Sequence, residues 1–183
     1  MAKKVFGSFL IMLFSILIIL FFKTGAYKSV EAVKADSPRL KLYYKENIGP
    51  YHEIVAKIKE VEDIFNEYQI PCTKTFGHFL SDPEIIEHDK LVSHVGCAFY
   101  EAEGPEFFTL PDGIEEKFFG FDSKDKVCYN GVFRGSPSLS AIKVYPKLLK
   151  MAQKDRVKLS SNSLEIYLVE GKKVTTDVYL CEE

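Results

Sequence analysis

The chain has 183 residues, a net charge of −2, 46% hydrophobic and 27% charged residues, a composition that excludes a disordered or fibrous protein. The near-neutral balance and the lack of any basic stripe give no electrostatic footprint for nucleic acid, so none is expected as a partner. Beyond the N-terminal segment roughly 150 residues remain, enough for one domain with its own core.

Val5 to Phe22 is an unbroken uncharged run, flanked by Lys3 and Lys4 on one side and Lys23 on the other. Roughly 18 residues rise about 27 Å as a helix, close to the ~30 Å hydrocarbon core of a bilayer. Signal-peptide cores run to only about 7–15 residues, so residues 1–25 are expected to be an uncleaved single-pass transmembrane anchor, with residues 5–22 in the lipid. The alternative is a cleaved signal peptide, because Thr24-Gly25-Ala26 loosely resembles a cleavage site. Lys3 and Lys4 favour a cytoplasmic N-terminus, which places the remainder on the extracytoplasmic side, or in the periplasm of a bacterium. Lys23, Lys28 and Lys34 pull the other way. Residues 26–38 are polar and small, and read as a linker to a domain over 39–183.

Arg39 to Lys45 alternates as a strand should, and Asn47-Ile48-Gly49-Pro50 breaks it. Tyr51, Ile54, Val55, Ile58, Val61, Ile64, Phe65 and Tyr68 then fall at helical spacing, which predicts an amphipathic helix closed by Pro71. Strands are predicted at about Lys74 to Leu80 and Leu91 to Glu101. Gly104 to Phe121, with its Pro and Gly residues, reads as a connector with a short strand near Glu116 to Phe121. The pattern then restarts. A strand at Lys126 to Arg134 leads through Gly135-Ser136-Pro137 to a helix from Leu139 to about Arg156, which Pro146 should kink or open. Two last strands are predicted at about Ser163 to Val169 and Val174 to Cys181, with a turn through Gly171.

This order predicts an α+β fold of two pseudo-symmetric strand-helix-strand-strand units, forming one antiparallel sheet with helices packed on it. The aliphatic Leu164, Ile166 and Leu168 are expected under the helices, with Glu165, Tyr167 and Val169 on the opposite face. Cys72, Cys97, Cys128 and Cys181 show neither C-x-x-C pairing nor metal-ligand spacing with the four histidines, so no metal or other cofactor is expected. One or two disulfides suit an oxidising compartment; for Cys97 and Cys128, which sit in strand-like runs, small buried hydrophobes are the reading preferred here.

Several phrases share one resemblance. Ile48-Gly49-Pro50-Tyr51-His52-Glu53-Ile54 resembles the "G-P-Y" lead into the first helix of GyrI-like effector-binding domains. Phe76-Gly77-His78-Phe79 with Asp82-Pro83, Val132 to Pro137 with Tyr145-Pro146, and Leu164-Glu165-Ile166-Tyr167 look like later landmarks of that family, across about residues 38–181. The resemblance implies a doubled fold with a central ligand cleft between the halves and a glutamate, here Glu165, on its floor. An anchor ahead of such a domain also resembles the reticulum-anchored autophagy-receptor branch. Those receptors continue into an acidic tail with an autophagy-binding motif, whereas this sequence ends at Glu183, so that role is not carried over. No helix-turn-helix segment is present to carry over the role of a transcription activator.

The expected function is therefore a membrane-anchored domain that senses or sequesters a small amphipathic or cationic molecule, through Glu165, Tyr167, Tyr51 and Phe79. Tyr51 fits the core stripe of the helix equally well. A desolvated carboxylate among rings calls for a positive partner, and a lipophilic cation brings both charge and apolar surface. Three alternatives remain: a hydrolase with Glu165 as general base, a haem carrier of the related SOUL type, and a protein-interaction domain with a vestigial cleft and an unknown partner. His52, His78, His88 and His94 lack partners at catalytic spacing.

Overall fold

The structure is a computed structural model that describes residues 2–105, 110–120, 126–171 and 173–183, without the side chains of residues 2–5, 7 and 8. Phe107, Phe108 and Phe121 of the expected connector, and the charges of Lys3 and Lys4, lie outside the described residues.

The fold is α+β. In chain order the elements are α1 (Ala2–Thr24), β1 (Glu31–Ala35), β2 (Leu40–Ile48), α2 (Ile54–Glu67), β3 (Lys74–Phe79), β4 (Val92–Tyr100), β5 (Glu115–Phe119), β6 (Cys128–Phe133), α3 (Pro137–Asp155), β7 (Leu159–Glu170) and β8 (Lys173–Glu182). The eight strands form one antiparallel sheet in the order β1-β6-β8-β7-β3-β4-β2-β5. The order repeats about its centre. In each half the first strand pairs with the third and the third with the second, and the two second strands, β3 and β7, join along the seam. An extra strand borders each half, β5 on β2 and β1 on β6. The stretch expected as a tether thus carries β1, which the sheet takes in as an edge.

Both helices begin at a proline-marked break, as their sequences suggest. Gly49 has φ 138° and Pro50 leads into a 3-10 turn at Tyr51–Glu53 before α2. Pro137 occupies the first turn of α3, where its missing N–H costs nothing. The kink or opening expected at Pro146 does not divide α3, which runs as one 19-residue helix through it.

The helices cover one face of the sheet. Val61 and Phe65 of α2 pack on Tyr43, Cys97 and Phe99, while Val144, Leu148 and Ala152 of α3 pack on Tyr129, Phe133, Val178 and Leu180. A Cβ on Gly131 would lie 2.3 Å from Val144 Cγ1, so the bare glycine is what lets α3 sit so close to β6. A second apolar layer lies on the helix-free face: Leu40, Leu42, Tyr44, Phe76, Ala98, Leu164 and Ile166. Phe119 of β5 and Tyr179 of β8, five places apart in the sheet, pack on that same cluster, so the sheet curls around it.

Two expectations are corrected here. The aliphatic Leu164, Ile166 and Leu168 belong to the helix-free layer, and Glu165 and Tyr167 face the helices. Alternation separates the two faces of a strand but cannot say which is covered, because a curled sheet buries both. Cys97 and Cys128 are not free buried hydrophobes: Cys72 pairs with Cys97, and Cys128 with Cys181. Scattered in sequence, they become neighbours only through pairing such as Cys128 opposite Cys181 on β6 and β8. Each bridge lies within one half.

Among the described residues no helix is long and apolar enough to cross a membrane. From Phe9 to Phe22 the side chains of α1 are largely exposed on every side of the helix. Its C-terminal end is fixed to the domain, since Ser136 N–H donates to Thr24 O at 2.9 Å and Lys143 Nζ to Ala26 O at 2.5 Å.

Candidate functional site

Glu165 stands on β7 directly opposite Gly77 of β3, at the seam of the two halves. With no side chain at Gly77, the Phe79 ring packs over the strand beside the carboxylate, where a Cβ would meet it at 2.9 Å. Above this floor lies a hollow of about 860 Å³, lined in part by α2 and α3. That volume is within the range of about 300–1,000 Å³ usual for small-molecule sites. The walls are mainly apolar: Ile54, Val55 and Ile58 from α2, Pro137 and Ala141 from α3, and the rings of Tyr51, Phe79, Tyr145 and Tyr167.

Glu165 is buried, only 6% exposed. Tyr145 donates its hydroxyl to Glu165 Oε1 at 2.7 Å, and Tyr167 donates to Oε2 at 2.8 Å. The Tyr145 hydroxyl also lies 2.8 Å from Ser163 Oγ. Among the described residues no cation pairs with the carboxylate. Lys59, on the wall, is engaged by Asp63 at 2.9 Å. Burial therefore pushes the Glu165 carboxyl above its ordinary range, and the bonds from Tyr145 and Tyr167 offset part of the rise. Burial and the neighbouring carboxylate raise both tyrosines well above their usual range, which keeps them protonated as donors.

The structure brings together all four residues singled out from the sequence. Glu165 and Tyr167 form the floor, and Tyr51 and Phe79 form a wall with ring centroids 4.6 Å apart. Tyr51 also donates to Ser81 O at 2.6 Å, so it is held in place while its ring lines the space. Tyr145 and Ser163 were not singled out. Tyr145 lies twenty residues from Glu165 on another element, and only its place beside Pro146 in a family phrase marked it. Val55, read as part of the core stripe, is 72% exposed at the hollow, and Val169 is 60% exposed there. His52 is an exposed residue at the rim, and His88 lies elsewhere on the surface. Among the described residues no group of three His, Cys, Asp or Glu side chains converges as a metal site.

No protein-family model matches the chain, and no curated protein matches it. Among solved structures, a hydrolase from Listeria innocua aligns with a TM-score of 0.47 at 10% identity, covering 88% of this chain and 97% of that one.

Proposed function

We propose that the domain binds a small lipophilic cation or cationic amphiphile, with Glu165 as the charge partner at the floor of the hollow. The observation that carries this reading is a buried carboxylate on a mainly apolar hollow, bonded among the described residues only to hydroxyls and paired there with no cation. A bound cation would replace the missing counter-charge, and aromatic walls add ~0.5–2 kcal/mol of cation–π attraction. With one buried charge on the floor and mainly apolar walls, specificity is broad. This is the chemistry that the GyrI-like resemblance implies, and the domain is proposed as a member of that class.

Affinity of the full chain for rhodamine 6G, followed by fluorescence anisotropy, is the test. Glu165→Gln is expected to weaken binding at least ten-fold without lowering the melting temperature; unchanged affinity overturns the reading. A hydrolase remains the second reading, favoured by the raised Glu165 carboxyl and the Tyr145 hydroxyl shared with Ser163. Turnover that Glu165→Gln abolishes while binding persists selects it.

Placement at a membrane belongs to the same proposal. Read in sequence, α1 is uncharged from Val5 to Phe22, and its described apolar side chains find no cover in the domain. Two disulfides support an oxidising, extracytoplasmic location for the domain.

A further inference from the structure

The helix-free face carries a cluster that plays no part in the hollow. Lys117 of β5 reaches across β2, so that its Nζ lies 2.7 Å from His78 Nδ1 on β3 and 2.5 Å from His94 Nδ1 on β4. The same Nζ is 4.8 Å from the centroid of the Tyr44 ring, which stacks on the His94 imidazole at 4.1 Å. The nearby carboxylates act on other atoms. Glu115 accepts from the Tyr44 hydroxyl at 2.8 Å, and Glu46 lies 3.8 Å from His94 Nε2. Among the described residues no carboxylate forms an ion pair with Lys117.

Both Nδ1 atoms can accept from Nζ only as neutral imidazoles with the proton on Nε2. A neutral amine has two N–H bonds and one lone pair. Two Nδ1 acceptors satisfy the two N–H bonds and leave the lone pair unshared. A half-buried ammonium facing neutral acceptors has lost water without gaining a counter-ion, which favours release of its proton. Burial brings Lys117 down to about 8, with Glu115 acting in the opposite sense. Burial and Lys117 pull His78 down to about 3 and also lower His94, so both rings stay neutral acceptors.

We infer that Lys117 is a covalent capture site for small uncharged aldehydes, held as an imine on its ε-amine. The Nζ lone pair attacks the carbonyl carbon, the N–C bond forms, and the carbonyl π pair moves to oxygen. One N–H proton passes to that oxygen to give the carbinolamine, and the second N–H proton passes to its hydroxyl as it departs. Water then leaves as the C=N bond forms. One water is released, no electrons are transferred, and hydrolysis reverses the step. Glu46 and Glu115 at the margin disfavour an anionic aldehyde.

The full chain is treated with butanal and sodium cyanoborohydride, which fixes the imine as a secondary amine, and modified lysines are located by peptide mass mapping. At pH 7.5 Lys117 is expected to be modified at least ten-fold faster than the exposed Lys154. Its rate should rise with a midpoint near 8. His78→Glu places a carboxylate beside Nζ and should suppress Lys117 labelling at least ten-fold, while His78→Gln preserves an acceptor and the preference. Labelling of Lys117 no faster than Lys154, or a midpoint near 10, overturns the inference. If His78→Glu does not fold, the rate comparison and pH profile of the unaltered chain decide alone.

Discussion

Glu165 exerts opposite effects on folding and on binding. A carboxyl whose pKa is raised by folding stabilises the native state while it is protonated. That contribution is complete below the ordinary carboxylate range and is lost as pH rises through the raised value. Glu165→Gln removes this cost at neutral pH, so its melting temperature should equal or exceed that of the unaltered protein, at roughly 2–4 °C per kcal/mol for a chain of this size. Binding runs the other way, since a cation needs the ionised form: affinity should fall as pH drops through the raised pKa. Tyr145→Phe removes a hydrogen bond that holds this pKa down. A dye titration across pH should show the midpoint moved to higher pH, with about ten-fold weaker binding at neutrality. The candidate site was partly legible at this scale. Glu165 and Tyr167 stand two residues apart on one strand face, whereas Tyr145 meets them only through the placement of α3. Lys117 was invisible for the same reason, since a reach across β2 has no sequence period.

The elements themselves were legible where periodicity is strong. The stripe of α2, the breaks before each helix and the alternation of β7 all follow from hydrophobic spacing and from glycine or proline. Tertiary choices were not: which face of β7 the helices cover, that residues 31–35 add an edge strand, and that the cysteines pair. Each depends on which strands become neighbours. The bridges close loops spanning 25 and 53 residues in sequence, so each is expected to add about 3–4 kcal/mol by restricting the unfolded chain. Paired replacement of Cys72 and Cys97 by serine should lower the melting temperature by several degrees, and replacement of Cys128 and Cys181 by somewhat more. Equal melting of oxidised and reduced protein would contradict this. Gly131→Ala puts a methyl group against Val144 and should cost about 1–3 kcal/mol in a denaturant titration, because a helix backbone has to move.

For the whole molecule, the doubled order of elements was legible and the antiparallel sheet with its helical layer followed from it. The proposed attachment to lipid predicts that the full chain floats with liposomes and that paired Leu13→Arg and Leu17→Arg substitutions release it. Flotation unaffected by those charges would rule out insertion of α1. Covalent cross-links divide unevenly across this body: one staples each half, and neither crosses the midline. The halves meet there through six paired positions between β3 and β7, beneath the hollow. Parting β3 from β7 would therefore strain neither staple, but it would open the apolar layer in which Phe76 packs with Leu164 and Ile166.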